Sequence, residues 1–80
     1  MISDPTLRIG DQAKKILEEE SVRTAFDSLK SSLVHQWITA ESDTLREKCW
    51  HSYHAVSNLQ NELHAQVQRA IRKRKQSKED

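Results

Sequence analysis

Trp37-Ile38-Thr39-Ala40-Glu41-Ser42-Asp43-Thr44-Leu45-Arg46-Glu47-Lys48-Cys49-Trp50 carries both tryptophans of this 80-residue chain. They flank the polar segment 40–44. If the chain reverses there between two antiparallel helices, the two indole rings face each other and set the register of a helical hairpin. Upstream, Val22, Phe26, Leu29, Leu33 and Trp37 recur at steps of four, three, four and four, which is one face of a helix. Ala25, Val34 and Ile38 widen that face. Downstream, Leu45, Cys49, Tyr53, Val56, Leu59, Leu63, Val67 and Ala70 follow at steps of three and four, close to a heptad repeat from Cys49 onward.

These patterns predict an all-α fold of three helices. Asp4 before Pro5 is a capping side chain followed by a proline at the first helical position. It opens a short helix over about 5–18, with Leu7, Ala13, Ile16 and Leu17 as its apolar stripe and Gly10 as a weak point. Ser21 is the expected cap of a second helix over 21–39. Thr44-Leu45-Arg46-Glu47 reads as a capping box, with Asp43 as a competing cap, and a long third helix is expected over about 44–75. Residues 76–80 form a polar tail expected to fray. Helices two and three make the antiparallel hairpin, with Phe26, Leu29, Leu33, Trp37, Trp50, Tyr53, Val56, Leu59 and Leu63 as its core. At 1.5 Å per residue the third helix is roughly 45–50 Å long and the second only about 27 Å. Val67, Ala70 and Ile71 therefore project beyond the hairpin partner. Either the first helix folds back over them or another subunit covers them.

Composition sets the class. One domain is the limit at this length, and chains this small bury only about 60% of their unfolded surface. Apolar residues make up 35% of the chain, with a single Phe and a single Tyr beside the two Trp. A self-sufficient core is thus hard to build, and self-association or docking is the natural remedy. One cysteine excludes an internal disulfide. There is no charged-then-apolar leader and no run long enough to span a membrane. The expectation is a protein of the cytoplasm, with no membrane contact. Net charge is +1 but uneven: from residue 67 onward there are six Lys/Arg against two Asp/Glu.

Several constellations invite chemistry. Glu47, His51 and His54 share a helix at spacings of four and three, and His35 on the second helix could join them around a divalent metal. Neither paired cysteines nor His-x-x-x-His accompanies them, so no metal and no cofactor is expected. Cys49 with His51 or His54 suggests a thiol nucleophile, but catalysis needs an oriented base and a pocket, while Cys49 lies on the apolar seam where a small hydrophobe is wanted. The chain is therefore read as non-enzymatic. Arg69, Arg72, Lys73, Arg74, Lys75 and Lys78 could contact phosphates or an acidic partner; as a solvated helix end they equally complement the dipole. No aromatic residue interleaves with them for base stacking. Trp37 and Trp50 read as core more readily than as a binding hot spot. Arg46 can stack on either ring or pair with an acid near the turn such as Glu41.

The segment Gln36-Trp37-Ile-Thr39-Ala-Glu-Ser-Asp43-Thr44-Leu-Arg46-Glu47-Lys-Cys-Trp50, with Gly10-Asp-Gln-Ala13-Lys14-Lys-Ile16-Leu17 before it, resembles a pattern of small helical bacteriophage and prophage proteins. The likeness spans roughly residues 8–70. It implies a gene neighbourhood of head assembly and DNA packaging, with no established enzymatic activity. The basic end is not part of that pattern. The resulting expectation is a phage-encoded protein acting by helix-to-helix contact, as a virion-associated or head-assembly accessory factor in the host cytoplasm or the virion. Its partners would be further copies of itself or other phage structural proteins. Val67, Ala70 and Ile71 would supply the apolar contact and the basic end the orientation. The alternatives are a phage-encoded inhibitor or regulator of a host protein, and a small nucleic-acid-binding protein using the basic helix end.

Overall fold

The computed structural model describes residues 4–79. It is all-α: α1 spans Pro5–Glu18, α2 spans Glu20–Thr39 and α3 spans Asp43–Glu79. No strand occurs among the described residues. The molecule is elongated, 58 × 23 × 19 Å, because α3 alone accounts for about 55 Å at 1.5 Å per residue.

The first helix starts as its sequence directs. The Asp4 carboxylate accepts the Thr6 N–H at 2.8 Å, with Pro5 at the first helical position. α1 ends at Glu19, a single extended residue (φ −70°, ψ 125°) whose N–H returns to the Ile16 carbonyl. α2 begins directly after it, with Glu19 as a cap that makes no side-chain hydrogen bond. Ser21 therefore lies inside the helix instead of capping it. The break has a packing cause. The inward face of α1 (Thr6, Gly10, Ala13, Leu17) and that of α2 (Val22, Phe26, Lys30, Leu33) are each spaced by three and four. Between Leu17 and Val22 the step is five, which would swing a continuous stripe well away from α3. One extended residue resets the phase.

The reversal takes only residues 40–42. The Ser42 hydroxyl accepts the Leu45 N–H at 3.2 Å and the Ser42 carbonyl accepts the Arg46 N–H. Ser42 is thus the N-cap of α3, in place of the expected Thr44 capping box. Arg46 ties the turn down by donating to Asp43 Oδ1 at 2.8 Å and to the Ala40 carbonyl at 3.2 Å. It does so instead of pairing with Glu41. At its other end α3 runs helically through Glu79 where fraying was expected from residue 76. Lys, Gln and Glu sustain helix there, and no Gly or Pro interrupts it. Asp80 lies outside the described residues.

α1 and α2 together run back along α3. α2 covers its proximal half, and α1 folds over the distal half that the shorter α2 cannot reach. Gly10 and Ala13 of α1 and Ala70 of α3 are buried. Gly10 has an ordinary helical backbone, without positive φ; its role is closeness. A Cβ there would overlap the Ala70 methyl and come within 2.9 Å of the Gln66 carbonyl oxygen. Ala70, expected to be exposed, is only 2% exposed, and Val67 beside it is half-buried. Ile71 stays on the surface. The apolar end of α3 is therefore taken up within the chain.

The hairpin seam differs from the expected one at its centre. Cys49, Tyr53, Val56, Gln60, Leu63, Val67 and Ala70 form the covered face of α3, spaced four, three, four, three, four, three. Gln60 holds the place expected for Leu59, and Lys30 of α2 holds that expected for Leu29. Lys30 Nζ donates to Gln60 Oε1 at 3.2 Å and lies 5.5 Å from the Tyr53 ring centroid. Leu29 and Leu59 point outward, and Trp37 and Trp50 are also exposed. Of the nine expected core residues, Phe26, Leu33, Tyr53, Val56 and Leu63 are half-buried.

Candidate interaction groove

Both tryptophans line one apolar groove of about 200 Å³ near the turn, together with Leu33, Val34, Cys49, Tyr53 and His54. α2 contributes one wall through Leu33, Val34 and Trp37, and α3 the other through Cys49, Trp50, Tyr53 and His54. Both rings line the groove, and neither is buried. Trp37 is 47% exposed and Trp50 52%, so they wall the groove where a core was expected. Ile38, next to Trp37 on α2, is 66% exposed.

Two histidines belong to this surface. The His54 ring lies 4.1 Å from that of Trp50, and the His51 ring meets Trp50 edge-on at 5.1 Å. His51 Nε2 stands 3.9 Å from Glu47 on the preceding turn. The imidazoles thus extend the aromatic wall and do not converge on a common point. Among the described residues no group of three His, Cys, Asp or Glu side chains could hold a metal ion. His35 is exposed on α2 and does not join them. Cys49 is half-buried in the groove floor.

The basic residues divide differently. Arg69 forms a forked pair with Glu62 at 3.1 and 3.4 Å, and Arg74 a forked pair with Asp11 at 2.7 and 2.8 Å. Lys73 Nζ lies 3.6 Å from Asp4. Two of these three links join α1 to α3, so much of the positive charge is matched within the molecule. Arg72 and Lys75 are exposed; the Lys78 side chain lies outside the described residues. At Asp4 the Thr6 N–H, aided by Lys73 and opposed by partial desolvation, holds the carboxyl below its ordinary 3.8.

No family model, curated protein or solved structure matches the chain. No helix among the described residues is long and apolar enough to cross a membrane.

The groove is the feature that sequence reasoning ranked second. Trp37 and Trp50 line one groove, where the expectation favoured a core over a binding hot spot. For Trp50 a signal was available in the spacing: Trp50 to Leu59 is nine residues, or 900° at 100° per residue. That puts the two on opposite sides of α3, and a two-helix seam can cover only one side.

Proposed function

We propose that this chain is a non-enzymatic helical interaction protein that docks a helical surface on the Trp37–Trp50 groove. The observation that carries this reading is a wall of two half-exposed indole rings with Val34 and Ile38 beside them. Tryptophan is among the residues enriched at the energetic hot spots of protein interfaces. The lining supplies no oriented acid–base pair. The resemblance of residues 8–70 supports a phage setting, in which the chain acts as a virion-associated or head-assembly accessory factor. Val67 and Ala70 are engaged with α1, so the docking surface moves to the other end of the molecule.

A photo-reactive residue at Ile38, in cells making the protein, tests the surface. The reading expects a discrete protein–protein adduct; no adduct under conditions where the chain is folded and abundant would sink it. Mass spectrometry of purified virions tests the setting. Presence of the chain there supports the assembly role, and absence shifts weight to a phage-encoded regulator of a host protein acting through the same groove.

A further inference from the structure

We infer that the occupant of the Trp37–Trp50 groove is a second copy of this chain, related by a two-fold axis that passes beside the hairpin turn. This deepens the proposed function and rests on it.

Surface area points first to a missing partner. A folded monomer of 9.3 kDa should expose about 5,000 Å², whereas this chain exposes 6492 Å². The excess, roughly 1,500 Å², is larger than the approximately 800 Å² that each partner loses in a stable interface of standard size. The radius of gyration agrees: 17.3 Å against about 12 Å for a compact 80-residue domain.

Shape and charge then favour a copy over a foreign partner. A two-fold interface requires one patch to complement itself. This patch carries both halves of such a fit, a groove and a knob. Ile38 follows Trp37 on α2, one turn beyond Val34, and is exposed, while Val34 and Trp37 line the groove. Its branched aliphatic side chain suits a groove walled by indole and aliphatic groups. In the inferred dimer each Ile38 sits over the partner's groove and shields its tryptophans. The rim charges permit the approach: residues 34–54 hold Glu41, Asp43 and Glu47 against Arg46 and Lys48, and Arg46 already neutralises Asp43. A nearly balanced patch can meet itself without net repulsion, and it offers little to a polyanion.

Ile38→Glu tests the idea. Ile38 is 66% exposed, so the substitution leaves the monomer's own packing intact. Leu59→Glu is the matched control, since Leu59 is 57% exposed and lies half a turn away from Trp50. Sedimentation of the wild type should give a mass of two chains. Ile38→Glu should weaken self-association on the order of tenfold or more with unchanged helix content by circular dichroism, and Leu59→Glu should leave the mass at two chains. A wild type that stays at one-chain mass up to about 100 μM overturns the inference, because a standard interface would be populated there. Equal disruption by Leu59→Glu overturns it too. The cellular photo-adduct separates the two levels: an adduct with a different protein and none with a second copy refutes this inference while leaving the docking surface in place.

Discussion

At Gly10, helix propensity and packing pull in opposite directions. Glycine in a helix interior costs about 1 kcal/mol relative to alanine, and its backbone here needs no special conformation. What it permits is contact of α1 with Ala70 and the Gln66 carbonyl. Both lie on the rigid surface of α3, so an added methyl must push the helices apart, at about 1–3 kcal/mol. Gly10→Ala is therefore expected to destabilise the protein in urea unfolding despite the better propensity, and Ala70→Gly in the same chain should restore much of the loss. A stabilised Gly10→Ala would show that α1 does not sit this close. Asp4 makes a second prediction at this scale. Its carboxyl is held below the ordinary 3.8, so its contribution is complete above that value and is lost as pH falls through the lowered one. Asp4→Asn keeps a capping side chain but cannot titrate. Its thermal midpoint should thus fall less than that of the wild type between about pH 7 and pH 2.5.

At the scale of elements, caps and phase breaks decide where helices begin. α3 is capped by Ser42, because the serine hydroxyl reaches the Leu45 N–H, while Thr44 is already inside the helix. Ser42→Ala should cost about 0.5–2 kcal/mol, and Thr44→Ala much less; the reverse ranking in chemical denaturation would reinstate the capping box. The helix lengths expected from the pattern lie close to those observed, since Pro5, the polar turn and the absence of breakers in α3 act locally. The seam was less legible. At its centre Leu59 and Leu29 are the natural apolar choices, yet Gln60 and Lys30 occupy the inside positions. Alternation of four and three across seven positions of α3 must stay in phase with α2, and that phase outranks the hydrophobicity of any one residue. The ion pairs of α1 on α3 are of the exposed kind, worth roughly 0–1 kcal/mol each; they orient α1 more than they hold it.

For the molecule as a whole, the surface is too large for its mass. Among the described residues full burial is reached by Ala13, Ala70 and Gly10, all of them small. Stability should accordingly depend on association. A roughly hundredfold rise in protein concentration is expected to lift the thermal midpoint of the wild type by several degrees, and that dependence should vanish in Ile38→Glu. A midpoint independent of concentration would mean that the slender monomer is sufficient by itself.

Helix class, helix number and the place of the reversal were determined by the sequence alone, because periodicity, capping groups and breakers act over a few neighbouring residues. Tertiary structure alone decided three things. It brought α1 onto the distal half of α3, burying Ala70; it set Gln60 and Lys30 into the seam; and it left Trp37 and Trp50 half-exposed as the walls of a groove. Each depends on how one helix is rotated and displaced against another. Residues far apart in the chain settle that jointly, and two helices can cover only one side of each other.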